Sequence, residues 1–330
     1  YTTLFRSEEL RQGAQVEAKT FAKAPGPADW DEYGGWAAGP QLAPKGFFRV
    51  TKYHGKWWLV DPLGHLFWSH GVDCVGSWGD STPVEDREGW FADVPPEEGD
   101  PRGHFYGPNW CLMGPWAGRN VWSFDFGAAN LALKYGDDWQ EHFNVITHQR
   151  LRSWGLNTIG NWSQPEVFRE RKTPYVATIY FGGRMLEGSE GYWGKFRDVF
   201  DPSFGASIRE AMQREVGQSA GDPWCLGYFV DNEIAWGDEV NLALAALASP
   251  ADQPAKRAFA EDLQSKYMTI ESLNAQWGTD YPSWDGLLAS TSLPDRQKTE
   301  ADLQAFSSRT AREYFRQVRQ EVKAVAPHQL

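Results

Sequence analysis

The sequence predicts an α/β fold built on a parallel sheet, and three observations carry that prediction. From His65 onward, short apolar runs alternate with helical patterns, and strands separated by helices join through right-handed crossovers into a parallel sheet. The 330 residues suffice to bury a large core, as one domain or one domain with an appendage. No run of about eighteen apolar residues breaks the alternation, so no membrane span is expected.

Taken in order, residues 1–45 begin with a short helical pattern and then become Pro- and Gly-rich (APGPADW, EYGGWAAGP), which predicts an extended lead-in from an upstream domain. Residues 46–330 form the main domain. Phe47–Tyr53 and Lys56–Val60 alternate around His54-Gly55, a hairpin signal. Asp61-Pro62-Leu63-Gly64 is a turn by composition, and His65–Val75 is the next strand. Residues 76–130 are rich in Gly, Pro and Trp without a periodic element; a loop of that length inside a compact domain is usually functional. Trp139–Trp154 reads as an amphipathic helix closed by Gly155. Leu156–Asn161 and Pro174–Phe181 read as strands, Ser203–Ser219 as a helix, and Cys225–Val230 as a strand running directly into Asp231-Asn232-Glu233. Beyond Glu233 the pattern is helical over Glu239–Ala248, Gln253–Tyr267, Thr269–Trp277 and Thr299–Val325.

Composition narrows the chemistry. A net charge of −12 and a pI near 5.1 disfavour nucleic acid and strongly anionic polymers as partners. Cys74, Cys111 and Cys225 are odd in number and lack CxxC spacing, so neither a zinc site nor a disulfide framework is expected; Cys74 and Cys225 sit in apolar runs and read as buried. The seven His are scattered with no HExxH pair, so no catalytic metal or other cofactor is expected. Aromatic residues reach 15%, with 18 Trp. Many of these lie in Gly/Pro/Asn-rich stretches: Trp78, Trp90, Trp110, Trp116, Trp122, Trp162, Trp193 and Trp236. Indole faces on loops make flat platforms for the C–H faces of sugars, so the set favours carbohydrate binding.

The run Gly227–Glu233 places an Asn-Glu pair at the C-terminal end of an apolar strand. In a (β/α) barrel, those strand ends form the catalytic face. A carboxylate desolvated there by aromatic neighbours has a raised pKa and keeps its proton for a leaving oxygen, while the adjacent amide can hold a sugar hydroxyl. The alternative is that Asp231 or Asn232 caps a following helix.

The fourth strand from His65, ending in Asn-Glu, resembles the clan A glycoside hydrolases, in which the acid/base Glu follows Asn at the end of barrel strand four. More closely, GFFRV with GKWWLVDPLGHLFWSHGV, then NTIGNW, then GYFVDNEIAWG, resembles the family 50 β-agarases. Leu273–Thr279 (LNAQWGT) is similar to the LNxxWGT stretch of those enzymes and of family 42 β-galactosidases. The likeness covers residues 46–330. It implies a (β/α)8 TIM-barrel fold and a retaining hydrolase of the β-galactosidic bonds of agarose that releases neoagaro-oligosaccharides. Glu233 would be the acid/base and Asn232 the binder of the 2-hydroxyl. Asp73, Trp78, Asn161, Trp162, Tyr180, Arg184 and Trp236 would be substrate contacts, against loop packing as the alternative for each. Other substrates in the same class are those of a β-galactosidase or a carrageenan-type galactanase. A non-catalytic carbohydrate-binding protein is the reading from a different class. A secreted or periplasmic location is expected for an enzyme acting on a galactan, although no signal peptide is visible at Tyr1.

Retention needs a second carboxylate about 5 Å from the first, which clan A supplies at the end of strand seven. Glu239, Glu261, Glu271, Glu300, Glu313 and Glu321 follow Glu233, and none ends an apolar β-run. Only the first four barrel strands are therefore expected in this chain, with the nucleophile and the remaining strands on a second polypeptide segment. The last strand would otherwise present an open edge.

Overall fold

The computed structural model describes residues 6–78, 81–91 and 94–330. Helix α1 (Ser7–Lys23) opens the lead-in, whose first five residues lie outside the described ones. Strands β1 (Arg49–Tyr53) and β2 (Lys56–Val60) form the expected hairpin, in register from Arg49↔Val60 to Tyr53↔Lys56. His54 and Gly55 take φ of 48° and 78°, the paired left-handed residues that a tight, right-twisted hairpin turn needs.

The single strand predicted over His65–Val75 is two. Strand β3 (Leu66–Phe67) pairs antiparallel with β2, whereas β4 (Gly71–Val72) joins a different, parallel sheet. Asn157 explains the break. Its side-chain amide donates to the Trp68 and Gly34 carbonyls at 3.0 Å each, and its carbonyl accepts the His70 N–H at 2.9 Å. The backbone groups freed at the switch are satisfied by one side chain, as buried polar backbone requires.

Residues 76–130 hold more regular structure than predicted. Strands β5 (Ser81–Pro83), β6 (Tyr106–Cys111) and β7 (Arg119–Asp125) form an antiparallel sheet in the order β5-β7-β6, and helix α2 (Phe126–Tyr135) follows, with Asp125 accepting the Ala128 N–H as its cap. Pro83 and Pro108 hid the two outer strands; proline is tolerated at a sheet edge, where no ladder hydrogen bond is lost. Val84, Phe124, Phe126 and Ala129 make a small core beneath this sheet. Residues 79–80 and 92–93 of the stretch lie outside the described ones.

The remaining elements follow the predicted order: α3 (Trp139–Ser153), β8 (Thr158–Ile159), α4 (Pro165–Phe168), β9 (Tyr175–Ile179), α5 (Pro202–Arg214) and β10 (Cys225–Val230). Then come α6 (Asn241–Ala248), α7 (Pro254–Tyr267), α8 (Ile270–Trp277), α9 (Trp284–Ala289, not predicted) and α10 (Arg296–Val325). Strands β4, β8, β9 and β10 form a four-stranded sheet in that spatial order. Gly71 pairs with Thr158 and Ile159 with Tyr175, both in parallel ladders. The Tyr175 N–H bonds the Trp224 carbonyl at 3.0 Å, and the Asp231 N–H bonds the Ile179 carbonyl at 3.4 Å, so β10 also runs with β9. The parallel sheet interleaved with helices is the α/β glycosidase-type fold that the sequence predicts.

The chain divides into two compact units, residues 1–177 with 223–227 and Leu330, and residues 178–222 with 228–329. In the first, Tyr33, Phe48, Phe67 and Leu226 form a second core, with Tyr33 meeting the Trp224 ring at 4.4 Å. In the second, one core gathers Phe204, Ile208 and Met212 of α5, Ala243 and Ala246 of α6, Phe259 and Leu263 of α7, and Leu303 and Phe306 of α10. Asn274 and Trp277 of the LNAQWGT stretch serve this core. The Asn274 side chain accepts the Tyr281 N–H and the Thr279 hydroxyl and donates to the Tyr281 carbonyl. The buried Trp277 indole donates to Asp302 at 2.8 Å. That motif is architecture.

Candidate active site

In the first unit the ends of β4 and β8 are laced together. The Asp73 carboxylate accepts the Asn161 N–H at 2.8 Å, and the Cys74 N–H bonds the Asn161 carbonyl at 2.9 Å. A side chain at Gly160 would place its Cβ 2.0 Å from Asp73 Oδ1, so glycine is required there. Cys74 and Trp162 take φ of 57° and 56° where the chain leaves each strand. This turn carries Cys74 to the surface, against the expected burial; Cys225 is buried as predicted. Asn161 is buried, Trp162 is half-buried, and Asp73 and Trp78 are exposed. Trp78 lies over Gly76, where an added Cβ would come within 2.5 Å of its Nε1.

In the second unit, β10 runs into Asp231-Asn232-Glu233, and no helix begins there. The next, α6, starts at Asn241, so the capping alternative does not hold. Asp231 and Glu233 both take left-handed φ, 58° and 48°. Such backbone costs of order 1–3 kcal/mol per residue and persists only where surrounding contacts enforce it. Asp231 supplies the enforcement. It is buried, with Oδ1 3.0 Å from the Arg197 guanidinium and Oδ2 accepting the Tyr314 hydroxyl at 2.9 Å. Burial pushes the Asp231 carboxyl up, and Arg197 and Tyr314 pull it back only in part. Burial and the neighbouring Asp231 charge likewise hold Tyr314 far above the usual phenol range, as a firm donor. Arg197 is itself seated 4.6 Å over the Phe181 ring.

Glu233 is exposed, not wrapped in aromatic side chains as the sequence predicts. Its partner is the Trp193 indole N–H, which donates to Oε2. Gly191 makes this meeting possible, because a Cβ there would lie 2.3 Å from the Ala235 Cβ. A cleft of about 230 Å3 opens beside the same loops, lined by Gly188, Ser189, Glu190, Ala235, Gly237 and Asn241. A larger one of about 600 Å3 in the first unit, around Glu17, Lys134 and Arg150, includes none of the predicted contacts. Asn232 is half-buried and Tyr180, just past β9, is exposed. The Arg184 guanidinium is 2.6 Å from Asp252, and the Arg184 backbone N–H donates to the Ser203 hydroxyl oxygen. Trp236 packs 5.0 Å from Phe196 and stacks on Phe315 at 5.8 Å. Sequence reasoning named Trp193 as a loop platform but not as the partner of Glu233, and it missed Arg197 and Tyr314.

The later glutamates have structural work. Glu321 forms a two-point pair with Arg209 at 2.7 and 2.8 Å, and Glu313 pairs with Arg316. Glu261, Glu271 and Glu300 lie within helices, and Glu239 in a turn.

Residues 207–330 match the β-galactosidase family 42 of glycoside hydrolases. The chain is 34% identical to β-agarase B of Vibrio sp. (strain JT0107) over 98% of its own length and 37% of that protein. It is 31% identical to β-agarase A of the same strain, over 87% and 31%. Among solved structures, an agarase superposes with a TM-score of 0.89 at 29% identity, covering 100% of this chain and 51% of that one. An exo-β-agarase superposes with a TM-score of 0.91 at 26% identity, covering 99% and 51%. The chain thus spans about half the length of the solved structures it matches, and less of the curated relatives.

Proposed function

This chain belongs to the agarase-like glycoside hydrolases of family 50, and we propose that it supplies the acid/base half of a retaining β-agarase, with Glu233 as the proton donor. The observation that carries this reading is the Asn232-Glu233 pair at the end of β10, where Asp231 and Glu233 on either side of Asn232 take left-handed backbone and Asp231 is buried and doubly anchored. With the Trp193 N–H fixed on Oε2, Oε1 is the oxygen left to carry the proton. Glu233 then protonates the glycosidic oxygen as the bond breaks, and in the second step takes a proton from the water that releases the sugar. Asn232 holds the 2-hydroxyl. Asp73, Trp78, Asn161, Trp162, Tyr180, Arg184 and Trp236 are the proposed sugar contacts.

The four parallel strands are, on this reading, the first half of a (β/α)8 barrel. A further segment brings the other strands and the nucleophile. Its support is the coverage of half of each agarase structure and the engagement of Glu313 and Glu321 in ion pairs. A galactan polymer as substrate implies a secreted or periplasmic enzyme; among the described residues no helix is long and apolar enough to cross a membrane. The match to family 42 over residues 207–330 gives a β-galactosidase as second reading. It is the weaker one, because the motif shared there packs a core.

The test is to treat agarose with the complete protein and follow the first products by proton NMR. New reducing ends released in the β configuration are expected. Release of the α anomer first, cleavage of simple β-galactosides alone, or binding without cleavage would each overturn the proposal.

A further inference from the structure

Far along the chain from Glu233, the lead-in and the turn after β2 bring two carboxylates and an imidazole together inside the first unit. Asp31 uses Oδ1 to accept the Tyr33 and Gly35 N–H groups at 2.9 and 2.8 Å, and Asp61 uses Oδ1 to accept the His65 N–H at 2.9 Å. Each acid thus spends one oxygen on its own loop and turns the other inward. Asp31 Oδ2 lies 2.6 Å and Asp61 Oδ2 3.8 Å from His65 Nδ1. The three inward atoms lie within 4.8 Å of one another. The Asp61 side chain is wholly buried, and its Oδ2 has no hydrogen-bond partner among the described residues. A Cβ at residue 35 would fall 1.9 Å from that oxygen and 3.1 Å from Asp31 Oδ2, so Gly35 clears the space in which the acids approach.

We propose that Asp31, Asp61 and His65 bind a divalent first-row cation of the zinc type, which staples the lead-in to the β2–β3 turn. Two facing carboxylates carry two negative charges in a buried place, and among the described residues neither has a Lys or Arg within ion-pair distance. One proton shared between the acids would cancel only one of these charges, whereas a divalent cation cancels both. The donor set of one imidazole nitrogen and two carboxylate oxygens suits zinc and is poor for calcium, which takes oxygen alone. Tetrahedral zinc holds such atoms about 3.3 Å apart, between the two separations seen. The carboxylates must be ionised to bind the cation, so uptake weakens as pH falls.

The test uses the full chain, stripped with a chelator and titrated with zinc sulfate alone. Bound zinc is counted by elemental analysis and the melting temperature is followed in parallel. The native chain should take up about one equivalent at a three-ligand site and melt several degrees higher with zinc than without. Asp61→Asn keeps the shape and the loop hydrogen bond, and should lose both effects. His65→Gln provides the same readout should the first variant fail to fold. A native chain that takes up no zinc, or variants that bind it as the native does, would overturn the site; the first outcome would leave a proton bridging Asp31 and Asp61. Because agarose cleavage is not read, the result is independent of the role of Glu233.

Discussion

At the scale of single residues, the catalytic proposal rests on how Glu233 is held. Trp193 gives it one charge-assisted hydrogen bond, a class worth about 1.5–3 kcal/mol. In the complete enzyme, Trp193→Phe should therefore lower kcat on agarose at least about tenfold with little change in KM; an unchanged kcat would show that the indole is a bystander. Behind Glu233, Arg197→Met would leave the buried Asp231 carboxylate without its cation, at a cost of about 3–5 kcal/mol. The sign of its pH dependence follows from Asp231. A carboxyl whose folded pKa is raised is favoured in its protonated form, so its contribution is fully present below the unfolded value of 3.8 and declines as pH rises through the folded one. Arg197 offsets that decline. Urea unfolding of Arg197→Met should thus show a greater loss at pH 7 than at pH 4, and an equal loss at both would contradict the pairing. The Asn-Glu pair was legible because it ends an apolar strand. Its supports were not, because Arg197 and Tyr314 stand 34 and 83 residues from Asp231 in unremarkable local sequence.

At the scale of elements, periodicity located β10, α3 and α7 to within a few residues, and composition placed the β1–β2 turn at His54-Gly55. It failed where a distant side chain decides. His65–Val75 reads as one strand until Asn157 satisfies the backbone at the break, and β5 and β6 were masked by Pro83 and Pro108 at a sheet edge. Asn157→Ala would strip partners from the Gly34 and Trp68 carbonyls and the His70 N–H. Losing buried hydrogen bonds of this kind should cost about 2–4 kcal/mol, visible as a lower melting temperature. Stability unchanged by the substitution would mean that the sheet switch is held by the strands themselves. The motif shared with family 42 makes the opposite point. Its side chains pack α8 against Tyr281 and Asp302, so a recognisable motif marked the fold without marking the site.

At the scale of the whole molecule, the proposal that the nucleophile lies elsewhere is supported by a chain that covers 51% of each solved agarase and whose later glutamates are in ion pairs, in helices or, for Glu239, in a turn. Supplied alone, the 330 residues should hydrolyse no agarose, and turnover by them would refute the division of the active site. The central claim is that Glu233 gives the proton, and a pair of rates tests it most directly. Glu233→Gln in the complete enzyme is assayed on agarose and on an aryl β-galactoside whose leaving group departs without protonation. Removing a general acid costs about a hundred- to ten-thousandfold where the proton is needed. The account predicts a loss of that size on agarose and a much smaller one in the bond-breaking step of the aryl substrate, while equal losses on both would contradict it.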